Sequence, residues 1–208
     1  MTSQQKIGAA QAEDEPDLTT LLGSRLCHDL VSPVGAVGNG LELLEMMHGP
    51  SEELALVRAS VDAALARIRF FRFAFGAAPD GQAVPAREMV QVVQAMYRDT
   101  KMDVIWTDID DRPRKEIRIA CLALCCVEVA VPWGGKVELS RVAQSWVIHV
   151  QAERLKIDSI LWEALGKKSM PSDLKGSEVQ FGLLLRETLR LKRPVSVTAD
   201  DRHLSLVV

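Results

Sequence analysis

The 208 residues, 48% of them hydrophobic and 25% charged, suffice for one large domain or two small ones with a real core. A net charge of −3 and a pI near 5.8 leave no basic footprint, which argues against direct nucleic-acid binding. No window approaches about 18 uninterrupted apolar residues, so no transmembrane helix is expected and the chain reads as cytoplasmic.

Residues 1–17, rich in Gln, Glu, Asp and Ala, lack the cationic and apolar regions of a signal peptide and read as a disordered lead-in. From Asp17 to Met47 runs a long amphipathic pattern, broken by Gly49-Pro50. Ser51 is placed to cap a second helix that continues to Phe75 and stops at Gly76. In it Leu54, Val57, Val61, Ala64, Ile68, Phe71 and Phe75 recur at spacings of three and four, the seam of an antiparallel helix pair. Ala77 to Gln82 carries turn residues, and the domain boundary belongs there, giving a helical hairpin over 18–78 and a second domain over 79–208. One hairpin covers only part of its own apolar surface. A second copy would complete a four-helix bundle, so a homodimer is expected.

The second domain reads as helix Arg87–Arg98, strand Met102–Thr107, apolar helix Lys115–Ala130, a turn at Pro132-Trp-Gly-Gly135, and a hairpin of Lys136–Arg141 with Ser145–Gln151. A short helix Ser159–Leu165, a polar loop Gly166–Gly176, a helix Ser177–Leu191 and a closing hairpin of Val195–Thr198 with Leu204–Val208 follow. Helices layered on one sheet make this half an α/β sandwich. Cys27, Cys121, Cys125 and Cys126 read as buried thiols of a reducing compartment, three of them in one apolar run, and no metal site is expected.

His28 stands apart from this packing. At about 100° per residue, Leu22, Leu26, Leu30, Pro33, Val37, Leu41 and Leu44 form one stripe roughly 120–220° away from it. Around His28 lie Ser24, Ser32, Gly35, Asn39 and Glu42, so the imidazole points to solvent. Asp29 follows directly and Pro33 favours a local bend. An exposed imidazole is nucleophilic near neutral pH, and a neighbouring carboxylate can fix its tautomer.

The run His28-Asp-Leu-Val-Ser-Pro33 resembles the H-box of sensor histidine kinases, and the longer string Arg25 to Leu44 resembles the ChpT-type histidine phosphotransferases of alphaproteobacterial cell-cycle phosphorelays. The likeness spans about Leu21 to Val208 and implies a kinase-like dimerisation half followed by a degenerate ATPase-like domain. It implies that His28 takes a phosphoryl group from one receiver aspartate and gives it to another, with Asp29 as the orienting acid or base. The donor would be CckA-like and the acceptors CtrA- and CpdR-like, with Mg²⁺ supplied by the receiver. Arg25, Ser32, Gly35, Asn39 and Glu42 are candidate receiver contacts, as are Arg67 and Arg69 of the second helix.

Kinase ATP sites need an asparagine-bearing helix, an Asp-x-Gly-x-Gly stretch and a glycine-rich lid. Ile117 to Val129 holds Cys125, Cys126 and Glu128 but no Asn, Gln151-Ala-Glu-Arg154 replaces the Asp-x-Gly, and Gly176 and Gly182 are the lid remnant. No ATP binding is expected. Competing readings are a receiver-directed phosphatase using Asp29 and Ser32, a non-catalytic dimeric adaptor, and a kinase fragment. His48, His149 and His203 lack the acid-to-proline context and read as structural.

Overall fold

The computed structural model describes residues 17–208, and all of the expected lead-in except Asp17 lies outside them. Helix α1, Leu18–His48, and helix α2, Glu52–Phe75, form the hairpin. Asp17 caps the first by accepting the Thr20 N–H, and Ser51 caps the second through Leu54. The helix assignment runs through Pro33 without interruption, so the proline removes one amide donor but does not end the helix.

Strand β1, Ala83–Val84, helix α3, Ala86–Tyr97, strand β2, Met102–Trp106, strand β3, Arg112–Pro113, and helix α4, Arg114–Ala130, open the second half. Strands β4, Gly135–Val142, and β5, Ser145–Gln151, helices α5, Ser159–Lys167, and α6, Val179–Arg190, and strands β6, Ser196–Ala199, and β7, His203–Val207, complete it. The main sheet runs β2-β4-β5-β7-β6, with β2 parallel to β4 and the other pairings antiparallel. The expected elements recur within about two residues at each end. The two-residue ribbon of β1 with β3 was not expected, since each strand is too short to show a period. Among the described residues no helix is long and apolar enough to cross a membrane.

Helix α4 is the axis of the core. Ile117 through Val127 are all buried, enclosed by the sheet residues Val137, Leu139, Trp146 and Ile148, by α6 and by α2. Helix α2 therefore has two packing faces. Its expected seam meets α1 at Val61, while Ala66, Phe70, Phe73 and Ala74 enter the same core as α4. Burying Phe70 and Phe73 favours this union by about 2 kcal/mol each.

Arg114, Glu116 and Arg118 at the start of α4 are buried as well, and each meets an opposite charge or carbonyl oxygens, although Arg118 Nε and Nη2 have no hydrogen-bond partner among the described residues. Glu116 binds Arg141 at 2.7 Å and also Arg193. Arg118 faces Glu187 of α6 at 3.5 Å, and the neighbouring Arg186 reaches Asp17 at the base of α1 at 2.8 Å. Arg114 donates to the carbonyls of Phe73 (2.9 Å) and Arg72 and lies over the Phe73 ring at 4.8 Å. It places a cation on the C-terminus of α2, where the last carbonyls lack helical partners. Burial pushes the Arg114 guanidinium down to about 10, so it remains charged near neutral pH.

Arg114→Met should lower the unfolding free energy by about 3 kcal/mol, because two largely enclosed carbonyls lose a charged donor. Urea denaturation measures this. A loss below about 0.5 kcal/mol would mean that water serves the α2 terminus equally well.

Candidate functional site

The turn that precedes His28 is held by contacts with the end of α2 and the segment after it. A Cβ on Gly23 would sit 2.6 Å from the Phe75 carbonyl oxygen, so only glycine lets the end of α2 come this close. One residue on, the Ser24 hydroxyl donates to the Thr20 carbonyl at 3.1 Å and accepts the Ala77 N–H at 2.8 Å. These two residues tie α1 to the segment that leaves α2. Sequence reading placed Ser24 beside His28 as a small polar neighbour and missed its anchoring role, which depends on a residue 53 positions away.

One turn after Ser24, the His28 side chain is 84% exposed. Its Nδ1 lies 3.1 Å from Asp29 Oδ1, and the other carboxylate oxygen, Oδ2, accepts from Arg25 Nε at 2.6 Å. The Asp29 carboxyl is held below its ordinary value by the hydrogen bond to His28 and then by the bond to Arg25 and its charge. With the proton on Nδ1, the remaining ring nitrogen, Nε2, carries a free lone pair turned to water.

The candidate receiver contacts share this open side unequally. Ser32 and Asn39 are exposed, and nothing lies within 4 Å of where a Gly35 Cβ would be. Glu42 is exposed but accepts from Arg58 of α2 at 2.8 Å. Arg25 is bound to Asp29, an i,i+4 pairing whose spacing is visible in the sequence. Arg67 and Arg69 line the groove between α2 and α3, and Arg69 also borders a cavity shared with Val31 of α1, one turn after His28. His203 also meets a carboxylate, that of Asp200 at 3.3 Å, but this aspartate is occupied in capping the turn amides of Arg202 and His203.

The apolar stripe opposite His28 remains bare in the single chain. Of its seven members only Leu41 is buried; Leu22, Leu26, Leu30, Val37 and Leu44 are exposed, Leu26 to 54%. The α1 residues buried in the hairpin are Thr20, Cys27 and Leu41. The stripe is thus a separate face, larger and more apolar than isolated surface leucines would account for.

In the second half, the helix that carries metal-binding asparagines in kinases presents the buried Cys125 and Cys126 instead. Glu128 is half-buried, and desolvation raises its carboxyl. After β5, Ala152 is buried and Arg154 stacks on Trp133 at 4.6 Å. At the lid remnant, Leu174 Cδ1 lies 2.9 Å from where a Gly182 Cβ would be, and Trp162 packs edge-on against Phe181 at 5.2 Å. Leu174 thus crowds Gly182, whereas nothing lies within 4 Å of where a Gly176 Cβ would be. No group of three or more His, Cys, Asp or Glu among the described residues is placed to hold a metal ion.

Residues 86–203 match the family model for the histidine phosphotransferase C-terminal domain. Together with the relative described next, this shows that the chain belongs to the histidine phosphotransferase family, enzymes of phosphorelays whose partners are response regulators. It is 32% identical over 193 residues to the protein phosphotransferase ChpT of Brucella abortus (strain 2308), covering 89% of this chain and 92% of that protein. The fold also matches that of a bacterial phosphotransferase solved at 1.7 Å, with 28% identity, a TM-score of 0.66, and coverage of 92% of this chain and 95% of that one. A histidine kinase domain from Erythrobacter litoralis EL346 blue-light activated histidine kinase aligns at 13% identity and a TM-score of 0.46, covering 84% of this chain and 95% of the kinase chain.

Burial pushes the Cys121 thiol up to about 12 and raises Cys27, Cys125 and Cys126 as well. Ellman's reagent at neutral pH should therefore react slowly with the folded protein and promptly with four thiols in denaturant. Rapid native reaction of more than one thiol would show that α4 opens readily.

Proposed function

We propose that His28 carries the phosphoryl group of this phosphotransferase and shuttles it between the aspartates of response-regulator receiver domains. One observation carries the reading: an imidazole standing in water, with Nδ1 engaged by its neighbouring acid and Nε2 unobstructed. Nε2 attacks the phosphorus of a receiver's phospho-aspartate in line, forming the P–N bond as the P–O bond breaks and the aspartate leaves as a carboxylate. The Nδ1 proton stays in the hydrogen bond to Asp29, which offsets the positive charge left on the phosphorylated ring. The return step runs the same path towards a second receiver aspartate.

By resemblance the donor is a CckA-like hybrid-kinase receiver, and the acceptors are CtrA-like and CpdR-like regulators of the cell cycle in the cytoplasm. The receiver supplies Mg²⁺, since its own aspartates surround the reacting phosphoryl group. The protein uses no ATP of its own. Supporting that are the thiols on α4, Ala152 at the end of β5 and the leucine seated over Gly182. The open face around Ser32, Gly35 and Asn39, with Arg25 and Glu42 at its margins, is where the receiver docks.

The bare stripe of α1 supports a homodimer in which two hairpins form a four-helix bundle. Covering an exposed Leu is worth about 1.5–3 kcal/mol, so five such side chains supply a strong drive to associate. Leu26→Glu should give a monomer by light scattering at micromolar concentration, with the far-UV spectrum of the second half retained. An undiminished dimer would place the interface elsewhere.

Mixing the protein with a receiver phosphorylated with ³²P should give acid-labile, base-stable label on His28, whereas labelled ATP alone should give none. His28→Ala should abolish transfer while receiver binding persists, and Asp29→Asn should slow transfer about a hundredfold. Full transfer by His28→Ala would end the proposal and favour an adaptor.

A further inference from the structure

We infer that Arg25 is a positioning residue of the transfer reaction, holding the Asp29 carboxylate in the orientation that fixes the tautomer of His28. The inference rests on His28 being the phosphoryl carrier and assigns Arg25 a task beyond touching the receiver.

The geometry is that of a relay along one helix. Arg25 and Asp29 are four residues apart and lie within about 40° of one another around α1, on the same flank of His28. The carboxylate bridges them: Oδ2 takes the Arg25 Nε–H at 2.6 Å, and Oδ1 faces His28 Nδ1 at 3.1 Å. Each oxygen thus has one partner, and rotating the carboxylate away from the imidazole would break the shorter bond as well as the longer one. Without Arg25, the exposed aspartate keeps only the longer contact to His28 to choose among its rotamers.

Charge adds to the effect. Arg25 favours the ionised form of Asp29, so the carboxylate remains a hydrogen-bond acceptor and leaves the proton on Nδ1, keeping the lone pair at Nε2. The bridge is solvent-exposed, and such pairs are weak in bulk water. A docked receiver would exclude water from this flank and strengthen it at the moment of transfer. The Arg25 terminal nitrogens make no hydrogen bond among the described residues, so the same side chain can still face the partner while Nε is engaged.

The test separates positioning from docking because its first readout needs no partner. In ¹⁵N-histidine-labelled full-length protein, with His28 assigned by its loss in His28→Gln, the neutral ring of the wild type should be chiefly the Nδ1–H tautomer. Arg25→Ala should shift His28 towards a mixed population, Arg25→Lys should restore part of the bias, and transfer from a phosphorylated receiver should fall about tenfold in kcat with KM little changed. Unchanged tautomer populations in Arg25→Ala would overturn the inference, whether transfer stays intact or falls through a raised KM. Failure of the underlying reading shows separately, as transfer that survives in His28→Ala.

Discussion

The meeting of Arg114 with the end of α2 is the constraint on which the rest of the molecule turns. A guanidinium at the first position of α4 terminates a helix 41 residues earlier in the chain. In doing so it welds the helical hairpin to the second half, through a bond that is charged, directional and largely withdrawn from water. Nearby, Arg118 with Glu187 ties α4 to α6, and Arg186 with Asp17 ties α6 to the start of α1. Removing one partner of the buried Arg118–Glu187 pair costs far more than the pair contributes when complete. The hairpin and the second half therefore behave as one piece at this end.

That union explains how the surfaces of α1 are divided. One side is consumed by α2, through Gly23, Cys27, Gly38 and Leu41. The leucine stripe and the His28 face are left over, and they point in different directions. Because Gly23 and Ser24 pin the helix one turn before His28, the imidazole's bearing relative to the second half is set by backbone contacts rather than by long side chains. The His28 side chain is open to solvent at its tip, while the turn before it is anchored at its root.

Much of the architecture was legible in the sequence. Period 3.6 over α1 and α2, the alternation in β4 and β5, and the caps at Ser51 and Gly49 are local signals, and the elements they announce are present. What escaped is long-range. Phe70 and Phe73 carry no mark distinguishing a helix's second packing face from its seam. Arg114, Glu116 and Arg118 look like the charged first turn of an exposed helix, yet they are buried because Phe73, Arg141, Arg193 and Glu187 arrive from distant positions. At the candidate site, the outward turn of His28 and its pairing with Asp29 followed from the wheel and from adjacency. The placement of Arg67 and Arg69 beside α3 depends on tertiary docking that no helical wheel contains.

Under the proposal that His28 is the phosphoryl carrier, its exposure also bears on how long that group can last. A phosphoramidate is intrinsically prone to hydrolysis, and no loop, lid or neighbouring side chain among the described residues closes over this imidazole. Bulk water would have the same access to the phosphorus as the next receiver. A carrier built this way keeps no reserve: its charged state decays on a chemical clock unless fresh supply arrives, so the relay's output follows its input closely and extinguishes itself when the input stops.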